Sequence, residues 1–463
     1  MSTPYSSWIS HLGRFLKKDQ LSTGQSVLEQ HSRGESFDEA VMPDAVVFPE
    51  STEDVQAIMA FAYEHGIPVT PVAVNSSLEG HTVPLKGGIS LDMTRMNRIL
   101  EFRPEDLLIV TEPAVTYPQI NEHVKRSGLF FPIDPGAHAS IGGMIATNAS
   151  GTMAVRYGVT ADYVLGLELV TPTGTLIRTG SAARKSASGY NLTKLYCGSE
   201  GTLGIITKVM LRLVGLPETA SAARVPFSTI ENATKFVTSV IQAGLPVARC
   251  ELVDAPSIRA VNAHEGTTYP EETTIFLEFH GNPASAAADA ELAEELADMH
   301  GATAFEASTN PEERHKLWEA RHNLFYAAVA ANPGKRNVTT DVTVPISKLP
   351  EAILTALADC ERLGLSAYAV GHVGDGNFHL AIFFEDNAKE AAKVEEVSHN
   401  MVMHALKLGG TSTGEHGVGI RKLKYMYKEH GEALQVMQAL KMALDPKGIM
   451  NPGKKLPNEP IPS

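Results

Sequence analysis

Cysteine is scarce in this chain. Cys197, Cys250 and Cys360 are the three in 463 residues, too few and too scattered for a disulfide framework, iron–sulfur ligation or a Cys-x-x-Cys-His haem attachment. Basic residues are also short: 39 Lys and Arg face 53 Asp and Glu, a net charge of −14. That balance excludes the clustered cations by which proteins hold nucleic acid. No apolar run reaches the roughly 20 residues needed to span a bilayer. The first twenty residues set Trp8, Ile9, Leu12, Phe15 and Leu16 at helical spacing, with Arg14, Lys17 and Lys18 late. A signal peptide has the reverse order, charges first, so this stretch reads as a short amphipathic docking helix and the expected location is cytoplasmic. The usual nucleotide fingerprints are missing as well. There is no Gly-x-Gly-x-x-Gly after a strand and no Gly-x-x-x-x-Gly-Lys-Ser/Thr, which leaves neither a dinucleotide Rossmann site nor a P-loop supported.

What remains is an ordinary globular composition, 43% hydrophobic and 20% charged with 38 glycines, long enough for two or three domains with full cores. Val46–Phe48 reads as a strand. Ser51 caps a helix with Asp54 three residues on, its apolar face being Val55, Ile58, Met59 and Ala62, and Gly66 ends it. Ile67–Val74 reads as the next strand, and Leu107–Val110, Val164–Val170, Thr175–Thr179 and Ile205–Leu213 as further ones. The stretch 136–158 is dense in small residues, which let backbone approach a bulky flat group or simply pack tightly. Beyond Pro217 the texture changes to helices over Thr229–Ala243, Ala284–His300 and Pro350–Leu363, with strands at Thr274–Phe279, Asp341–Pro345 and Tyr368–Val373. This alternation predicts an α+β domain with an antiparallel sheet. A helix around Glu432–Leu444 and a break at Asp445-Pro446-Lys447-Gly448 close the chain.

Two segments can carry chemistry. In Gly371-His372-Val373-Gly374-Asp375-Gly376-Asn377-Phe378-His379, Asp-Gly between two strand-like runs predicts a two-residue hairpin turn that sets His372 opposite His379. Opposed residues share a sheet face with Cβ atoms about 4.5–5.5 Å apart, so the imidazoles either chelate one divalent cation or sit on a solvated hairpin. The glycine-dense loop Gly409–Gly419 holds Glu415 beside His416. Neighbours on extended backbone point opposite ways; Glu415 can complete a His, His, Glu set while His416 faces a substrate. Three ligands leave coordination positions open, as catalytic metal sites do. His399 and His404 read as ordinary helix residues.

Longer motifs identify a family. Pro132–Gly136, Ile141–Gly151, Val155-Arg156-Tyr157-Gly158 and Ser188–Thr207 resemble the flavin-binding domain of the vanillyl-alcohol-oxidase-like (PCMH-type) superfamily. The histidine hairpin, the Thr413-Gly414-Glu415-His416 loop and Asp445–Lys454 resemble its branch of FAD-linked D-lactate dehydrogenases, D-2-hydroxyglutarate dehydrogenases and glycolate oxidase subunits. The likeness runs from about Pro43 to Lys455. It implies an α+β fold: a PCMH-type FAD-binding domain of two α/β subdomains over 43–216, and a ferredoxin-like cap with an antiparallel sheet over 217–424. An N-terminal helical segment, 1–42, precedes them, and 425–463 returns to the FAD domain.

The resemblance further implies that backbone N–H groups of Ser76, Ser77, Leu78 and Ile141–Gly143 hold the FAD pyrophosphate as a nest. Asn75, Pro135, Gly136, Asn148, Gly151 and Glu200 fall in the same flavin-binding motifs. Gly204 and Ile205 would approach the flavin ring, and Asn451 would close over it. The flavin is expected to be non-covalent, with His138 an ordinary solvent or active-site histidine. One departure stands out: where this branch has glycines, the chain reads Val74-Asn75. Asn accepts a left-handed conformation, Val does so poorly; the loop takes another path, holds FAD more weakly, or marks a drifted site.

In the cap, Trp318-Glu319-Ala320-Arg321 followed by Asp341–Pro345 matches the segment with a carboxylate-binding arginine, Arg321; the residues alone equally allow an ion pair with Glu319 or Asp341. The implied reaction is oxidation of a D-2-hydroxy acid to the 2-keto acid. His372, His379 and Glu415 would hold zinc, with manganese or iron as alternatives, His416 would act as base, and hydride would pass to flavin N5. Leu324–Val329 points to an apolar pocket and so to D-lactate or a related acid over 2-hydroxyglutarate or glycolate. Electrons would leave to an external cytochrome, quinone or electron-transfer flavoprotein, the enzyme working in the cytoplasm or at the inner membrane face, with a homodimer as the assembly allowed. Metal-assisted hydrolysis and an inactive binding module stay open, and an absorbance spectrum separates them from the redox reading.

Overall fold

The computed structural model describes residues 5–35 and 40–457; parts of the N-terminal segment 1–42 and of the C-terminal tail 425–463 lie outside the described residues. Contacts divide the chain into a first unit, Met1–Ser150, Val159–Leu216 and Glu415–Ser463, and a cap unit, Gly151–Gly158 and Pro217–Gly414.

In the first unit, Ser51 accepts the Asp54 N–H and Gly66 ends the helix Thr52–His65 at φ +65°, both as the sequence predicts. Its Val55, Ile58, Met59 and Ala62 have no exposed surface and pack with Leu12 and Leu16 in one core. The N-terminal helix, Tyr5–Leu12, thus leads into this core. The helix joins Ala45–Val47 to Val69–Val72, and both strands pair in parallel with Ile89–Asp92. Leu21–Ser22 adds an antiparallel edge. A second sheet is antiparallel, in the order Ile99–Arg103, Leu108–Thr111, Ile205–Arg212, Val164–Val170, Leu176–Gly180. Ile205–Arg212 alternates buried and half-buried positions along its length, the pattern of a strand with one face in the core. The C-terminal segment bonds to this unit: Val69 N–H donates to Ile449 O and Asn451 N–H to Val69 O, each at 2.8 Å.

The cap unit is built on seven antiparallel strands: Glu306–Ser308, Thr219–Phe227, Thr273–Gly281, Val247–Val253, Ser366–Gly371, Asn377–Phe384 and Arg336–Thr339, with Val342–Thr343 pairing to Asn377–Phe384 as well. The expected antiparallel sheet is present and exceeds the strand count of a single ferredoxin-like unit. One face carries Val253, Phe276, Tyr368 and Phe383 against Trp318, Leu324, Ala327 and Ala328. This corrects the pocket expected from Leu324–Val329: the buried side of that helix fills the cap core, while Phe325 and Tyr326 are exposed.

The unit boundary also differs from the expected one at 424. Gly414 N–H donates to Asp341 Oδ2 at 2.9 Å inside the cap unit. Four residues later, Val418 and Gly419 donate to Glu200 of the first unit at 2.8 and 2.9 Å. The chain changes allegiance between these two carboxylates.

Candidate active site

The first unit contains a cavity of about 400 Å3. Its wall is largely backbone and small side chains. Asn75, Ser76, Ser77 and Leu78 line it, as do Pro135, Gly136, Gly142 and Gly143. Glu200, Gly204, Ile205 and Asn451 contribute, and so do Glu415 and His416. A Cβ on Gly142 would stand 2.7 Å from Pro113 Cβ, and one on Gly204 2.9 Å from Val170 O, so both positions need glycine to bring the wall together. Ser77 Oγ is buried on this wall with no partner among the described residues, a polar atom that a phosphate or ribose oxygen would satisfy.

The loop with the missing glycine is resolved by one residue. Asn75 takes φ +64° while Val74 is not among the positive-φ residues. Asn75 Nδ2 donates to Arg33 O at 2.9 Å, and its Oδ1 accepts Thr82 Oγ1 at 2.5 Å. The strained position therefore falls on the side chain that tolerates it, and that side chain braces the loop. The nest expected at Ile141–Gly143 is corrected: Ile141 N–H donates to Val115 O at 2.8 Å and Gly142 N–H to Pro113 O at 2.7 Å. Two of its amides are spent inside the protein.

Glu200 and Asn451 hold the cavity's rear. Glu200 sits at φ +53° with its side chain fully buried. Burial alone would raise its carboxyl, but the charges of His81 and Lys455 and the N–H bonds hold it far below the ordinary range. Asn451 Nδ2 donates to His81 O at 3.0 Å and Glu200 O at 2.8 Å. His416 Nδ1 lies 3.7 Å from Glu79 Oε1, and Ser150 Oγ donates to Glu415 Oε2 at 3.2 Å.

In the cap unit the hairpin register differs from the two-residue turn. Val370, not His372, stands opposite His379, and His372–Gly376 form the connection. Gly376 alone of Asp375-Gly376 has positive φ, where a type I′ turn needs two; its carbonyl accepts Val344 N–H at 3.0 Å. The register moves by two residues, which keeps side chains on the same face. His372 and His379 become diagonal neighbours, their ring centroids 5.5 Å apart at 79°.

Both rings are fixed through Nδ1, His372 by Glu251 Oε1 at 2.7 Å and His379 by Thr340 O at 2.9 Å. Such an Nδ1 bond sets the tautomer that presents Nε2 to a metal. Glu251 Oε2 accepts Arg321 Nε at 3.0 Å and Nη2 at 2.9 Å. Burial alone would raise the Glu251 carboxyl; the His372 and Arg321 charges beside it hold it below its ordinary value. Asp341 Oδ1 accepts Asn377 Nδ2, and its Oδ2 accepts Thr413 Oγ1 and the Gly414 N–H, at 2.8, 2.7 and 2.9 Å.

Residues 43–180 match the family model "FAD binding domain", and 216–455 match "FAD linked oxidases, C-terminal domain". The chain is 42% identical to a zebrafish (Danio rerio) protein named probable D-lactate dehydrogenase, mitochondrial, over 94% of this chain and 89% of that one. It is 35% identical to the Bacillus subtilis glycolate oxidase subunit GlcD over 89% of each. The chain belongs to the FAD-linked oxidases. Among solved structures, 4-ethylphenol oxidase from Gulosibacter chungangensis shares the PCMH-type fold with a TM-score of 0.81 at 18% identity, covering 99% of this chain and 98% of that one.

Seen as a FAD-linked oxidase, the protein has a first unit that fits FAD: glycines at the close approaches, the Ser77 hydroxyl to be satisfied, and no Rossmann glycine motif required. Three of the expected flavin contacts are not among the residues lining this cavity. Ile141 is fully buried in its helix, Asn148 caps that helix at φ +55° with Oδ1 on Ala161 N–H, and Gly151 belongs to the cap unit. Arg321 pairs with neither Glu319 nor Asp341 through its Nε, which goes to Glu251. Glu251 and Glu79 escape sequence reasoning, each a lone acid in an apolar strand or loop without a motif, and Asp341 enters it only as a possible partner of Arg321, not as the acceptor of Thr413 and Gly414. Among the described residues no helix is long and apolar enough to cross a membrane.

Proposed function

We propose that this FAD-linked oxidase converts a D-2-hydroxy acid, D-lactate foremost, to the 2-keto acid. The observation that carries the reading is the pair of cap histidines with both Nδ1 atoms engaged by acceptors. Dehydrogenation of an alcohol benefits from acidifying its hydroxyl, and a metal on Nε2 atoms would do that. The names of the relatives agree: the zebrafish protein, at 42% identity, is named a probable D-lactate dehydrogenase, and one from Arabidopsis thaliana, at 41%, a cytochrome-type D-lactate dehydrogenase.

Bound FAD supplies a two-electron acceptor, and a bound divalent ion supplies a Lewis acid that makes the hydroxyl more acidic. His372 and His379 would offer Nε2, and Glu415, which follows Gly414 directly, a carboxylate oxygen; two nitrogens and an oxygen suit zinc, with manganese or iron as alternatives. Glu251 occupies Nε and one hydrogen of Nη2 on Arg321. The guanidinium's other edge, Nη1 with the second Nη2 hydrogen, would grip the substrate carboxylate. His416 would accept the hydroxyl proton at Nε2, with Glu79 facing its Nδ1. Electrons would pass to an external cytochrome, quinone or electron-transfer flavoprotein, in the cytoplasm or at the membrane face.

The test is spectroscopic. Purified protein carries flavin absorbance, and a panel of D-2-hydroxy acids bleaches it, D-lactate at the lowest concentration. A colourless protein, or a flavin that no acid in the panel reduces, defeats the reading.

A further inference from the structure

The strand Val247–Val253 lies inside the cap sheet, between Thr273–Gly281 and Ser366–Gly371. Its residues are buried except for Arg249, and the Glu251 side chain has no exposed surface. A carboxylate there is strongly disfavoured unless its oxygens are answered, and an apolar side chain would serve the sheet better. Both oxygens are answered: Oε1 by His372 Nδ1, Oε2 by Arg321 Nε and Nη2.

We propose that Glu251 is a positioning residue that sets the ring of His372 and the guanidinium of Arg321 together, coupling metal binding to recognition of the substrate carboxylate. The proposal rests on the reading of His372, His379 and Glu415 as metal ligands. Accepting from Nδ1–H leaves the ligand lone pair on Nε2 of His372. Engaging Nε and Nη2 turns the outer edge of Arg321 toward a second carboxylate. A loose metal ligand therefore means a loose arginine.

Glutamine in this place has one acceptor oxygen for two claimants. If the oxygen stays with Arg321, the amide NH2 faces His372 Nδ1, and the ring proton moves to Nε2 where it blocks ligation. If it stays with His372, Arg321 loses both bonds. Glu251→Gln must damage one partner or the other.

The experiment uses the full chain loaded with FAD and stripped of metal. Zinc affinity is read by competition with a chromophoric chelator, and site geometry by the visible bands of added Co2+. We expect His379→Ala to lose stoichiometric zinc binding, and Glu251→Gln to bind zinc about 10–100-fold more weakly with displaced Co2+ bands. Wild-type zinc affinity and Co2+ bands in Glu251→Gln overturn the proposal while leaving the metal reading intact. Unchanged zinc binding in His379→Ala overturns the metal reading itself. A lowered melting temperature with unmoved Co2+ bands means a merely structural Glu251, and also overturns the proposal. Should Glu251→Gln fail to fold, Arg321→Met decides: weakened zinc binding by a residue that is no ligand supports the coupling, and unaltered binding sinks it.

Discussion

The cavity of the first unit is walled by backbone and small side chains, whereas the cap positions its histidines with buried carboxylates and a carbonyl. A large planar cofactor asks for close approach over a wide area, which glycines at 142 and 204 permit. The ion proposed for the cap would ask for a few atoms held in direction, and Glu251 and Thr340 fix the two histidine rings while Asp341 fixes the Gly414 backbone. The comparison teaches that shape can be supplied by leaving side chains out, while direction has to be supplied by burying charge.

The comparison can be broken at either end. Chelating the proposed metal should take substrate-driven flavin bleaching to background, with recovery on adding zinc and no loss of flavin absorbance; bleaching that survives chelation would remove the cap histidines from the chemistry. His416→Ala should slow bleaching by about 10²–10⁴, the usual worth of a positioned base, while FAD stays bound. Asn75→Ala attacks the cavity instead. A left-handed alanine costs roughly 1–2 kcal/mol, so FAD should bind about tenfold more weakly, as read by recovery of flavin fluorescence. Asn75→Gly should lose less, since it keeps the conformation and forfeits only the brace.

The smallest effect concerns pH. Burial raises the Asp254 carboxyl in the cap to about 6 from 3.8. A raised folded value means stability that is complete below the unfolded value and lost as pH rises through about 6. The Glu200 carboxyl is held low, so its contribution is present above the ordinary carboxylate range and lost only on stronger acidification. Moving from pH 7 to 5 should therefore stabilise the cap by about 1 kcal/mol and leave the Glu200 contribution unchanged. Trp318 lies in the cap unit and Trp8 in the first, so Trp8→Phe isolates the cap's fluorescence. A cap that melts lower at pH 5 than at pH 7 would contradict this.

Much of the fold is legible in local chemistry. Ser51 with Asp54, the face at Val55, Ile58, Met59 and Ala62, and Gly66 each act within one helix, and each does what its residue type dictates. The hairpin is legible in its chemistry and mistaken in its register: Asp-Gly favours a tight turn, but Gly376 O is taken by Val344, just past the strand Val342–Thr343, a contact no local rule contains. The small-residue run around Ile141 reads correctly as close packing, while the use of its amides by Val115 and Pro113 is tertiary and silent in the sequence. Glu251 is hardest of all, because a single acid among apolar neighbours looks like a tolerated surface residue until the sheet closes on both sides.

The chain passes between its two units at 150–151, 158–159, 216–217 and 414–415. The short piece 151–158 is tied into the cap by Tyr157 Oη with His280 Nδ1 at 2.9 Å and by Arg156 Nη1 donating to Pro246 O at 2.5 Å. At the level of the gene, then, the cap is not a cassette that two cuts release. A chimera that imports a foreign cap to change substrate preference must carry this octapeptide as well, and a recombination event with one breakpoint near Pro217 would join a cap to a strap made for another.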